Sequence, residues 1–325
     1  MIDAALIARG LKLVLPDLAY GVRVDVLEAF EQALDTAIHD REKRILNQLI
    51  DNARYAREHQ LPGCQDTGTV WVMLEVGPDV AISSTCFTQI NAVVAQAYQV
   101  GALRKSTVFD SVFCRENRGD NTPAFTEIHL REDFEPGYVE LHVMLKGAGS
   151  DNASRLAMLN PSDGVEGIER LVCEVVQEKG INACPPLVVG VGVGATFDTV
   201  AHLSKQALLR AVGVPAVTPE QAALEERLLT AVNALGIGAA GLGGLHTALA
   251  VHVETAPCHI AALPVAVNLG CSAMRAATIA IQDGEILGIK DPQSGHIASS
   301  LAELQSPQPV IKQATQTFVT QEQHS

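Results

Sequence analysis

Residues 187–193 form an unbroken apolar run, LVVGVGV, that carries no charged or polar side chain; a glycine-rich turn and a helical pattern over about 196–211 follow it. A run of seven is far too short to cross a bilayer, and β-branched residues bounded by turn signals read as a strand buried in a sheet. That reading ties the rest of the chain to a layered fold, because such a strand needs neighbours. Further strands are expected over 69–76 (TVWVMLEV), 138–145, 247–253 and 263–268, and Asp283-Gly284 marks a hairpin between 277–282 and 285–289. Helices are expected over 24–60 as a pair, with Ile45, Leu46, Leu49, Ile50 and Ala53 on one face, and over 90–103, 165–178 and 219–235. This alternation predicts an α/β or α+β protein; the architecture expected is α/β, a mixed sheet with flanking helices and a helical N-terminal region. One unit over 1–290 is expected, followed by a Ser-, Gln- and Pro-rich tail over 291–325 with no sustained pattern, read as poorly ordered.

With 325 residues, 47% hydrophobic and 18% charged, the chain can bury a large core. Its formal net charge of -14 leaves no broad basic face, which argues against a nucleic-acid backbone as partner. No apolar stretch of about 18 residues suggests a membrane span. The N-terminus has Asp3 where a secretion signal has positive charge, and the expected location is cytoplasmic.

Seven cysteines, an odd number, are spread widely, which in a reducing compartment does not suggest a disulfide framework. Cys86, Cys114 and Cys173 read as small buried hydrophobes. Cys64, Cys184 and Cys271 differ because each sits at a break between elements, beside Pro62-Gly63, Pro185-Pro186 and Gly270. Loops at strand ends are where α/β proteins place their sites. No local CxxC spacing links the three, so they would have to converge through the fold. Residue type alone leaves zinc, an iron–sulfur cluster and plain core packing all open.

Five motifs occur in order: Cys-Gln-Asp-Thr-Gly at 64–68, Asp-Asn-Thr-Pro-Ala at 120–124, Lys-Gly-Ala-Gly-Ser-Asp-Asn at 146–152, Asn-Ala-Cys-Pro-Pro at 182–186 and His-Ile-Ala-Ala-Leu-Pro-Val-Ala-Val at 259–267. Together, over roughly residues 20–290, they closely resemble the α subunit, or N-terminal domain, of class I iron–sulfur fumarate hydratases and the related L(+)-tartrate dehydratases. The resemblance implies that Cys64, Cys184 and Cys271 hold a [4Fe-4S] cluster with one iron open to substrate. It implies Asp66 as a catalytic residue and Gln65, Arg104, Gly147 and His259 as substrate-binding positions. It also implies an α-subunit domain over 1–290, a separately encoded β subunit that completes the active site, an α2β2 or similar oligomer, and a small dicarboxylate as substrate. Fumarate/malate is the first expectation and tartrate to oxaloacetate the alternative.

The site residues carry plausible chemistry and plain rivals. A guanidinium fork suits a carboxylate, so Arg104 is a sensible anchor, whereas a lone Arg after a helix is usually a surface charge. Asp66 could move a proton, or could be a turn residue. His259 could donate to a carboxylate, or be a satisfied core histidine. The run Gly190-Val-Gly192-Val-Gly194-Ala195 matches a dinucleotide fingerprint but lacks the acidic residue about 20 positions on, so it is read as close backbone packing near Cys184. Ala148 stands where many relatives have glycine, and Cys258 where an arginine is frequent. The rival from another class is a non-catalytic iron–sulfur or zinc protein.

Overall fold

The computed structural model describes residues 1–304. Three helices open the chain: α1 (Ala4–Val14), α2 (Val24–Thr36) and α3 (Asp40–Glu58). Asp3 accepts from the Leu6 amide at 2.9 Å and so caps α1, while Leu6, Ile7, Leu11 and Val14 form its buried stripe. The following elements alternate, with β1 (Thr69–Val76), α4 (Ile90–Val100), β2 (Phe125–Leu130), β3 (Tyr138–Lys146), the four-residue α5 (Ala148–Asp151) and β4 (Arg155–Leu159). Then come α6 (Gly164–Lys179), β5 (Leu187–Ala195), α7 (Phe197–Ala207), α8 (Pro219–Ala234), β6 (Ala248–Cys258) and β7 (Leu263–Gly270). The hairpin β8 (Ala276–Gln282) and β9 (Glu285–Lys290), the short β10 (Ile297–Ala298) and α9 (Leu301–Leu304) end the described chain.

The strands form two mixed sheets rather than one, a six-stranded sheet in the order β10-β9-β8-β3-β1-β2 and a four-stranded sheet in the order β4-β7-β5-β6. In the first, β1 runs parallel to β2 and antiparallel to β3. In the second, β5 runs parallel to β6 and antiparallel to β7. The period-two alternation of β1 decides which helices cover which face. Val70, Val72, Leu74 and Val76 pack under α1 and α4, while Trp71 and Met73 point to the opposite face, toward α2 and α3. A third core lies between the four-stranded sheet and α6 and α8.

Glu75, Glu140 and His142 form a buried polar layer on the second face of the large sheet. His142 Nε2 lies 3.0 Å from Glu75 Oε2, Gln206 donates to Glu75 at 2.8 Å, and Arg131 and Lys290 bring positive charge to the two carboxylates. Paired in this way, the charges avoid the cost of burial without a partner.

The structure departs from the sequence reading in several places. Gly190 and Gly192 lie within β5, and a Cβ on either would collide with the backbone of α7, at the carbonyls of Ser204 and Val200. The glycines thus allow the close backbone packing expected of them, but what they admit is α7 rather than the segment at Cys184. Cys114 is exposed, contrary to its reading as core, whereas Cys86 is buried as expected and Cys173 half-buried. Residues 297–304, grouped with the tail by composition, form β10 and α9, with Ile297 opposite Lys290 in β9. The rest of the expected tail, 305–325, lies outside the described residues.

Candidate active site

Strand direction brings distant segments to one place. The start of β1, the end of β3 and the start of β8 share one end of the large sheet, as the pairings Thr69 with Lys146 and Met144 with Ala276 require. In the smaller sheet the start of β5 meets the end of β7, with Val188 opposite Gly270. Cys64 lies just before β1, Cys184 just before β5 and Cys271 just after β7, so all three stand at these strand ends.

Backbone hydrogen bonds tie the loops together. Ser272 N–H donates to the Cys184 carbonyl at 3.0 Å. Cys184 itself takes a left-handed conformation, φ +57°, unusual for a residue with a side chain and typical of strained functional positions. Desolvation and then the negative charges of Cys271, Cys64 and Asp66 push its thiol above the ordinary range, so the Cys184 sulfur lies within electrostatic reach of the other two cysteines. They are not clustered tightly enough for one ion. Among the described residues, the groups of potential ligands whose donor atoms all lie within 4.8 Å of each other do not include this trio. Four thiolates around a single zinc, at about 2.3 Å each, would bring the sulfurs to within about 4 Å of each other.

Asp66 joins the first loop to the turn after β3. Its Oδ1 accepts from Gly68 N–H at 3.0 Å and its Oδ2 from Ala148 N–H at 2.8 Å. Gly68, at φ +81°, lies so close to the Lys146 backbone that a Cβ would be 2.8 Å from its carbonyl carbon. Asn121, from the second motif, spans two segments by donating to the Gly68 carbonyl at 3.0 Å and accepting from Ser106 N–H at 2.7 Å. Thr67 Oγ1 donates to the Arg104 carbonyl at 2.9 Å, which anchors Arg104 beside the Cys64 loop. Gln65 and the Arg104 side chain are exposed, Asp66 half-buried and Gly147 buried. Cys64, Gln65, Asp66, Arg104, Gly147, Cys184 and Cys271 thus converge.

His259 does not join them. It is exposed in the turn between β6 and β7, where its Nδ1 accepts from Ala261 N–H at 3.1 Å. Cys271 lies beyond the other end of β7, an eight-residue strand that spans roughly 23 Å. His259 is therefore remote from Cys271, and it is not a core histidine either.

A profile of the family described as Fumarate hydratase (Fumerase) matches residues 11–280. The chain belongs to this family. Among similar proteins are the putative L(+)-tartrate dehydratase subunit alpha of Methanocaldococcus jannaschii, 41% identical over 259 residues covering 78% of this chain and 90% of the relative. The L(+)-tartrate dehydratase subunit alpha of Escherichia coli (strain K12) is 33% identical over 259 residues, 79% of this chain and 84% of its own length.

Two cations of this fumarate hydratase family member were passed over in the sequence. Lys146, fully buried at the end of β3, donates to the Leu269 carbonyl and to Ser150 Oγ, and burial lowers it to about 8 despite the opposing charges of Asp151 and Cys271. Arg275, 2% exposed, has Nε and Nη1 buried without a hydrogen-bond partner, and its Nη2 lies 3.7 Å from where a Gly147 Cβ would stand. Both were in view, Lys146 inside the third motif and Arg275 four residues after Cys271. Only the folded chain shows that two positive charges are buried here, Lys146 within reach of Cys271 and Arg275 beside Gly147.

Proposed function

We propose that this chain is the α subunit of an iron–sulfur hydro-lyase acting on a C4 dicarboxylate. The observation that carries the reading is the convergence of Cys64, Cys184 and Cys271 at the meeting ends of two sheets, near one another but spread too widely for one ion. Soft thiolates in that arrangement, backed by the buried positive charges of Lys146 and Arg275, fit an anionic [4Fe-4S] cluster better than zinc. When bound, the cluster would supply a Lewis-acidic iron for the substrate's hydroxyl and carboxylate.

The chain's own residues have separable tasks. Arg104, exposed and without an ion-pair partner among the described residues, offers its two-point donor fork to a carboxylate. Asp66, with each oxygen already accepting from a backbone amide, holds the Gly147 turn in place; we assign it to positioning rather than proton transfer. Gly147 presents backbone where Asp66 would crowd a side chain. Removal of the proton next to the leaving hydroxyl falls to a base outside this chain, in accord with the word "subunit" in the names of both relatives. A substrate contact from His259 would have to come from a second copy of the chain.

The family description favours fumarate/malate, and the names of the relatives favour tartrate to oxaloacetate as a second reading. The reading places the protein in the cytoplasm, where cysteines stay reduced; no helix among the described residues is long and apolar enough to cross a membrane.

The test is iron and sulfide analysis of anaerobically purified protein. Cys64→Ser, Cys184→Ser and Cys271→Ser should each lose the cluster, while Cys86→Ser and Cys173→Ser keep it. A full cluster in Cys184→Ser would defeat the assignment.

A further inference from the structure

A second cluster of ligand-type side chains stands away from the cysteines. Glu127 and His129, two residues apart on the edge strand β2, share the face on which β1 places Trp71 and Glu75. His202 of α7 reaches the same spot. His202 Nδ1 lies 2.6 Å and His129 Nε2 3.2 Å from the same oxygen, Glu127 Oε2, and the two rings stack at 3.7 Å. Trp71 Nε1 donates to the other oxygen at 2.8 Å and so aims the carboxylate. Glu127 pairs with Met73, five residues along β1 from Gly68, so the cluster is roughly 15 Å up the strand from the cysteine loop.

An independent observation points the same way. Asn268 of β7 lines the cavity beside these three residues, is 6% exposed, and its Oδ1 has no hydrogen-bond partner. It sits opposite Gly190, whose Cβ position faces α7, so its side chain lies on the side of the sheet covered by the helix that carries His202. A buried acceptor without a donor costs free energy unless something fills the place. The group at Glu75, Glu140 and His142 differs, because Arg131 and Lys290 already neutralise it. Lys205 also borders the cavity, but its ammonium sits over the Trp71 ring, 5.5 Å from its centre.

We propose that Glu127, His129 and His202 bind a divalent transition ion of the zinc type, with Asn268 Oδ1 facing it. Two imidazole nitrogens and a carboxylate suit zinc or cobalt, and the three donor atoms lie within 4.8 Å of one another. The ion would fasten the edge of the large sheet to the helix that covers the small one.

Trp71 is the chain's single tryptophan, so it reports on this site. The full chain, freed of metals with a chelator, is titrated with Co2+ and then Zn2+ while Trp71 emission and cobalt absorption are followed. Saturable quenching by one Co2+ per chain, reversed by Zn2+, is the expected result. It should persist in Cys184→Ser, whose cobalt absorption loses thiolate character. His202→Ala and the milder His202→Gln and His129→Asn should weaken it by more than the roughly 10–100-fold that an outer-layer partner is worth. Quenching that is absent in the wild type, unchanged in folded His202→Gln, or abolished in Cys184→Ser would overturn the proposal.

Discussion

Arg104 is anchored by its backbone and free at its tip: Thr67 holds its carbonyl, and its guanidinium is exposed. Replacing it with lysine keeps the charge but removes the planar two-point contact. With a hydrogen bond to a charged group worth roughly 1.5–3 kcal/mol, kcat/KM of the anaerobic complex with the β subunit should fall about 10- to 150-fold, with malate or tartrate alike. Cluster content, measured on the same sample, should not change. An unchanged kcat/KM in cluster-replete Arg104→Lys would place the carboxylate clamp on another residue. Asp66 teaches a different lesson at this scale. Its motif reads as a proton carrier or as a turn residue, and the two backbone amides on its oxygens are the ground for the positioning role proposed for it.

At the scale of elements, hydrophobic periodicity marks what local burial controls and misses what it does not. The expected strand 69–76 and the hairpin at Asp283-Gly284 match β1, β8 and β9 closely, because a β-branched and aromatic apolar run and the Asp-Gly turn are local signals. Strands β2 and β4 escaped the sequence reading: as edge strands they bury little, and β2 reads FTEIHL with four of its six residues exposed. Helix α7 depends on a contact that no periodicity reports, the bare glycine backbone of β5 beneath it. Gly192→Ala would place a Cβ against Val200 and Ser204 and force the helix outward. Overpacking of this kind costs about 1–3 kcal/mol, sometimes more, so urea unfolding should show a loss in that range. Stability within about 0.5 kcal/mol of wild type, the ordinary scatter of surface changes, would mean that α7 does not rest on β5 as closely as described.

For the whole molecule, the buried ionisable groups set the response to acid. Burial pushes the Glu75 carboxyl up, but hydrogen bonds and charge from His142 and Arg131 outweigh it and hold it at about 2, below its ordinary 4.5. Its contribution is therefore complete above about 4.5 and drains away as the pH falls toward 2. Burial, with the charges of Arg210 and Arg23, lowers His252 from 6.5 to about 3, and its contribution drains over that wider window. Unfolding free energy should thus decline below about pH 6.5 and more steeply below about 4.5. Glu75→Gln should flatten the lower part while costing stability at pH 7. Urea titrations followed by circular dichroism at pH 7, 5.5 and 4 check this; a wild-type value that does not fall between 7 and 4 would count against the buried pairs.

Composition, element order and the five motifs are properties of the chain read along its length; they sufficed for the mixed α/β class and the family, and they singled out the three cysteines proposed as cluster ligands. Local sequence carries that information because strand alternation, helix stripes and turn residues act over a few positions. The division into two sheets, the remoteness of His259, the burial of Lys146 and Arg275, and the meeting of Glu127 and His129 with His202 are not local. They depend on which strands pair and in which direction, and that pairing is set by the packing of all the helices and strands together, so only the tertiary structure could decide them.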